Sequence, residues 1–377
     1  MRWLGVGIMG LALLGTAGCG AATERTSDDG AVTTEAGSAT PQAAGFSIRG
    51  TIESLPRPSD SSYPIAVGDL EAGARAMGLE PPETAEDKRD WLGALGIAND
   101  ESAVTFLLPR DLSSEVGMAE EPELGFDLTH VSSWGEIGIT PDAQLLVGDF
   151  DENTLSADLI DLGDGLLSAG EGEDGYADIE ARTPLRPIGQ PLRVGQDGDQ
   201  VLLSGNTATV QNWLSGQGPT MADDDAVLET ADQLDALEAI TGYFMVQPGG
   251  GAGIESLLGA SGTPEQAEQV LAEMEQWAIT QPFGVVAVGT TVQGSTAQDV
   301  VVYHFGSESA AESALEQVER TWTDGTLLQG GPVTDLFSLT AATAEGSTVV
   351  VVLDREQARS DTLTTMLVRR EVLLNYL

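Results

Sequence analysis

The sequence predicts an α+β protein built as two related lobes of antiparallel sheet with helices packed on one face. Three observations predict it. Short β-rich runs alternate with amphipathic helical stripes after about residue 46. The order strand, strand, helix, strand, strand, helix occurs twice. The second strand pair of each unit is joined by a short turn, as in a hairpin, and such sheets pack helices as a layer.

The first unit begins with a strand at Ile137 to Ile139 and a second from Ala143 to Phe150 in "AQLLVGDF". The leucines Leu155, Leu159, Leu162 and Leu166 fall on one helical stripe and predict a helix. Leu192-Arg193-Val194, the turn "QDGD" and "QVLLS" read as a hairpin, and Asn206 or Thr207 caps a helix through Val210, Trp213 and Leu214. The second unit repeats the plan. Val285 to Val288 and "AQDVVVYHF" from Ala297 are strands, and Ala311, Leu315, Val318 and Trp322 form a helical stripe. Ser309 to Glu312 is a capping box for that helix and Gly325 its stop. Phe337-Ser338-Leu339, "AEGS" and "TVVVV" read as a hairpin, followed by a helix capped at Asp354 or Asp361. Between the units, Thr263-Pro264-Glu265-Gln266 opens a helix with the stripe Ala267, Val270, Leu271, Met274 and Trp277. The glycines of 249–253 do not fit G-x-G-x-x-G, because Ile254 stands at the last position; they read as a linker. The lobes therefore span 46–245 and 246–377.

The chain carries 16 basic and 60 acidic residues, a net charge of −44, and one lysine, Lys88. That field repels nucleic acid and excludes it as a partner. Three readings of the acidity stay open: a surface adapted to high salt, an acidic secreted style, or cation binding. Hydrophobic residues make up 41% of the chain, enough for packed cores despite the charge. The single cysteine, Cys19, permits no disulfide within the chain, so stability comes from burial.

The residues before Cys19 are Arg2, an apolar run from Trp3 to Leu14 and then small residues. This is the charged, apolar and small-residue order of a signal peptide, too short to span a bilayer. Residues 20 to about 45 are small and polar and read as a tether, so the organisation is 1–18 signal, 19–45 anchored tether, then the two lobes. Thr16-Ala17-Gly18-Cys19 resembles a bacterial lipobox, departing from it at Thr16. The resemblance implies cleavage before Cys19, diacylation of its sulfur and acylation (palmitate) of the new amino terminus. It places the protein on the extracytoplasmic face of the cell membrane, within the cell envelope. The layout of the body is similar to that of uncharacterised lipoproteins of high-GC Gram-positive bacteria.

Chemical motifs fail in turn. There is no G-x-S-x-G nucleophile elbow and no phosphate-binding P-loop around Lys88. The two histidines, His130 and His304, share no ligand spacing, and His304 falls on a predicted strand. Asp149, Asp151 and Asn153 match the first alternating positions of an EF-hand, but Thr154 and Ile160 occupy the glycine and bidentate glutamate positions. A looser oxygen site is left open in residues 149–180, which hold 11 acids and no base. Trp134, Trp213, Trp277 and Trp322 are expected in the core. No catalytic, cofactor or metal residue is singled out; the one site residue is Cys19, for lipid attachment. The expected function is non-enzymatic binding of a ligand or partner protein, with the cleft between the lobes as its place. The alternatives are an envelope hydrolase with scattered residues and a low-affinity cation-binding lipoprotein.

Overall fold

The computed structural model describes residues 45–80, 82, 84–96, 103–104, 108–109, 112, 122–138, 142–246, 272, 274–294, 296–327 and 330–376. Its strands are β1 (Tyr63–Asp69), β2 (Val131–Ile137), β3 (Ala143–Gly148), β4 (Ile160–Gly163), β5 (Leu166–Ala169), β6 (Leu192–Asp197), β7 (Gln200–Ser204), β8 (Ala239–Val246), β9 (Val285–Gln293), β10 (Thr296–His304), β11 (Phe337–Glu345) and β12 (Thr348–Arg355). The α-helices among the described residues are α1 (Ile48–Glu53), α2 (Leu70–Ala76), α3 (Ala85–Gly96), α4 (Thr207–Leu214), α5 (Asp225–Ala236), α6 (Glu308–Asp324) and α7 (Thr362–Val368).

The 12 strands among the described residues belong to one sheet, in the order β11-β12-β10-β9-β8-β1-β2-β3-β7-β6-β5-β4, and every neighbouring pair is antiparallel. The protein is thus α+β with an antiparallel sheet. β1 and β8 pair at its centre, with Ile65 opposite Phe244. Outward from β1 run β2, β3, β7 and β6; outward from β8 run β9, β10, β12 and β11. The two halves repeat one strand order. The expected lobe boundary at 245/246 falls at the end of β8, which pairs with both β1 and β9.

The helices lie on both faces of this sheet rather than on one. The cause is visible in β10, where both alternating sets of side chains are apolar and buried. Val300 and Val302 point to one face, where they join a core with Ile48 and Ile52 of α1 and Val227, Ala231 and Leu234 of α5. Val301 and Tyr303 point to the other, under Ala311, Val318 and Trp322 of α6 and Leu363 and Leu367 of α7. Leu70 of α2 and Leu92 and Leu95 of α3 cover a further core with Trp134, Leu146 and Val201 on this second face. Each buried valine, leucine or isoleucine among them contributes about 1.5–3 kcal/mol by leaving water. A strand apolar on both sides reads as a continuous run and does not say which side its helix takes.

The predicted helix over Leu155 to Leu166 is absent. Residues 151–159 form turns, and β4 and β5 make a hairpin. Gly163, Asp164 and Gly165 have φ of 94°, 54° and 79°, three successive left-handed residues that turn the chain between Leu162 and Leu166. A right-handed helix cannot pass through them. The predicted β6–β7 and β11–β12 hairpins, α4 with its Asn206 cap and α6 with its stop at Gly325 are all formed. α6 is capped by Ser307, whose hydroxyl accepts from the Ala310 amide at 3.3 Å, not by the box at Ser309. α7 follows Asp361. The first predicted strand runs from Val131 to Ile137, earlier than expected; Ile139, the 249–253 glycines and the helix opening at Thr263 lie outside the described residues.

Candidate functional site

Most of the bases among the described residues are paired, and three arginines are largely enclosed with a carboxylate each. Arg186 donates to Glu123 at 2.7 Å, Arg193 to Asp174 at 3.0 Å and Arg355 to Asp299 at 2.7 Å. Arg193 also donates to Thr207, Ser168 and the Gly172 carbonyl, which ties the acidic 170–178 loop to β6. Burial pushes the Asp174 carboxylate up, but its bonds from Thr207 and Arg193 outweigh this and hold it below the usual range.

Three of the acids in residues 149–180 are held in local turns. Asp151 accepts from the Asn153 amide and the Thr154 hydroxyl, Asp161 from Gly163 and Asp178 from Glu180. Among the described residues, no group of three or more His, Cys, Asp or Glu side chains could hold a metal ion. His130 is exposed beside Asp127. His304 ends β10, buried, with Nε2 3.0 Å from Glu229 Oε2. Ser347 donates to that same oxygen. This bond, with His304 beside it, holds Glu229 below the usual carboxylate range against the opposing effect of burial. A hydrolase triad runs nucleophile, base, orienter. Here the carboxylate stands between hydroxyl and imidazole, so the order differs from that triad and Ser347 meets Glu229 instead of the imidazole. Trp134, Trp277 and Trp322 are buried in the cores and Trp213 packs partly buried against one.

Three cavities among the described residues bear on binding. At the centre, where the two halves meet, β1 pairs with β8 and the sheet is continuous. A crevice there, between Trp134, Tyr243, Thr290, Asp299 and Ser360, has a volume of about 20 Å³, room for one water. A groove of about 470 Å³ lies between α1 and the β2–β3 strands, with Asp69, Glu71 and Asp199 on its walls. Asp69 caps α2 through Oδ1 and the Ala72 amide at 2.8 Å, while its Oδ2 is buried without a partner. The residue is only 2% exposed, so that oxygen is closed off from the groove.

The third is a groove of about 350 Å³ beside α7, within the range of small-molecule sites. α7 buries Leu363 and Leu367 against the sheet. Thr362, Thr365, Met366 and Arg369, at helical spacing, form one wall of the groove, and Leu327 and Leu336 form the other. Arg359 stands at the rim, donating to Asp361 at 2.8 Å. Arg369 is exposed and its guanidinium makes no hydrogen bond or ion pair among the described residues. Sequence reasoning missed this site. Its signal was the local charge: residues 355–370 hold four arginines and two acids, against 16 bases and 60 acids in the whole chain.

No family model matches the chain, and no curated protein matches it. Among solved structures, the chain is similar to crystal form I of TP0453, at 8% identity and a TM-score of 0.35, over 85% of this chain and 97% of that one. Cys19 lies outside the described residues. No helix among the described residues is long and apolar enough to cross a membrane.

Proposed function

We propose that the protein is a lipoprotein, anchored through Cys19 to the extracytoplasmic face of the cell membrane, that binds a small ligand without converting it. The anchor rests on the signal-like residues before Cys19 and the lipobox-like Thr16-Ala17-Gly18-Cys19. The observation that carries the binding role is the α7 groove, a cavity of about 350 Å³ with apolar and polar walls and an arginine, Arg369, that is unpaired among the described residues. The order Ser347–Glu229–His304 is not that of a serine-hydrolase triad, because the hydroxyl meets a carboxylate instead of an imidazole.

Native mass spectrometry of the protein extracted from its own membranes tests the binding role. A small molecule should travel with the native protein and be lost from a Thr365→Trp variant, whose indole fills the groove. A variant that carries the same molecule in the same yield would remove the groove from this reading.

A further inference from the structure

We infer that the ligand of the α7 groove is an organic anion, a carboxylate or phosphate head on an apolar body. This rests on the reading of that groove as the binding site. Arg369, at the C-terminal end of α7, supplies a guanidinium uncommitted among the described residues, on the same groove as Thr365 and Thr362. A guanidinium presents a planar fork of donors that matches carboxylate and phosphate oxygens. Leu327, Leu336 and Met366 offer apolar surface to the rest of the molecule. Of the acids on the groove, Asp361 is engaged by Arg359, and Glu371 is 6% exposed.

The net charge of −44 does not oppose this. Charges beyond a Debye length, about 10 Å at 0.1 M salt and about 3 Å at 1 M, are largely screened. What a bound head group feels is its nearest neighbours: Arg369 and the threonines, with Asp361 already engaged by Arg359 and Glu371 6% exposed. A cationic head would meet Arg369 unscreened at contact distance.

Calorimetric titration of the full chain carrying Cys19→Ser tests the inference with four probes of one tail length: octanoate, octyl phosphate, octylammonium and octanol. Octanoate or octyl phosphate should bind at least tenfold more tightly than octylammonium and octanol, and the ratio of the two anions identifies the head. Arg369→Ala should weaken the anions at least tenfold. Arg370→Ala, the same charge change at the next residue but off the groove wall, should leave them within twofold. Equal binding of octylammonium or octanol, or no effect of Arg369→Ala, would overturn the anionic class while leaving the groove as the site. Binding of none of the four, or binding unaffected by Thr365→Trp, would overturn the groove itself.

Discussion

Arg355 closes on Asp299 from the neighbouring pair of strands, its Nε donating to Oδ2 at 2.7 Å and its Nη2 to Oδ1. Thr290 donates to Oδ1 at 3.0 Å, and Arg355 Nη1 reaches the Ala103 carbonyl at 2.6 Å. Asp299 is 2% exposed. The pair therefore stitches β9, β10 and β12 to the segment that covers the second face. Removing one member leaves the other charge buried and alone, which costs about 3–5 kcal/mol. Arg355→Ala should lower the stability measured by urea unfolding by that amount. The double variant Asp299→Leu with Arg355→Met should lose less than either single change, because no charge is stranded.

The first described helix is capped from a distance. Asp235, in the last turn of α5, accepts from the Ile48 amide at 2.8 Å, the Arg49 amide at 3.0 Å and the Ser47 hydroxyl at 2.7 Å. A carboxylate at a helix N-terminus satisfies orphan donors and meets the positive end of the dipole. Asp235→Ala should cost about 1–2 kcal/mol, the upper range for a lost cap, and should speed hydrogen exchange of α1 more than that of β10.

Asp69 gives the pH dependence a definite sign. Burial pushes its carboxyl up, against the stabilising bond from the Ala72 amide. The folded state then keeps the proton to a higher pH than the unfolded chain, whose carboxyl titrates at about 3.9. Its stabilising contribution is present at low pH and is lost as pH rises through the folded value. The carboxamide of an Asp69→Asn variant still caps α2 but carries no charge. The melting temperature of Asp69→Asn relative to the parent should rise between pH 4 and pH 7. A pH-independent difference would contradict the assignment.

With a net charge of −44, the compact state repels itself more than an expanded chain does. Screening should raise the melting temperature gradually with NaCl over the molar range. The carboxylates of Asp151, Asp161, Asp174 and Asp178 are occupied by neighbouring amides and side chains. Calcium at micromolar to low millimolar concentration should therefore add no more than magnesium. A calcium-only shift, following ligand linkage, would make the 149–180 segment a metal site.

What the sequence made legible was local. The hairpin turn at Asp197 to Gln200, the Asn206 cap and the α6 stripe from Ala311 to Trp322 each follow from a few adjacent residues. The sides taken by the helices were not legible, because Val300, Val301 and Val302 are equally apolar and only long-range packing assigns them to different faces. The β4–β5 hairpin was hidden by leucines that happen to fall at helical spacing around the Gly163–Gly165 turn. The groove was hidden for a third reason. Its walls come from Leu327, Leu336 and α7, which no spacing rule connects, and its two arginines, Arg359 and Arg369, vanish in a whole-chain count of charge.

The anchor is tested most directly by the intact mass of the protein released from its own membranes. The predicted result is a chain that begins at Cys19 and carries a diacylglyceryl group on its sulfur, with Cys19→Ser leaving the protein uncleaved or detached from the membrane. An amino terminus elsewhere, or a free Cys19 thiol in membrane-bound protein, would contradict the proposed anchor and the location that depends on it.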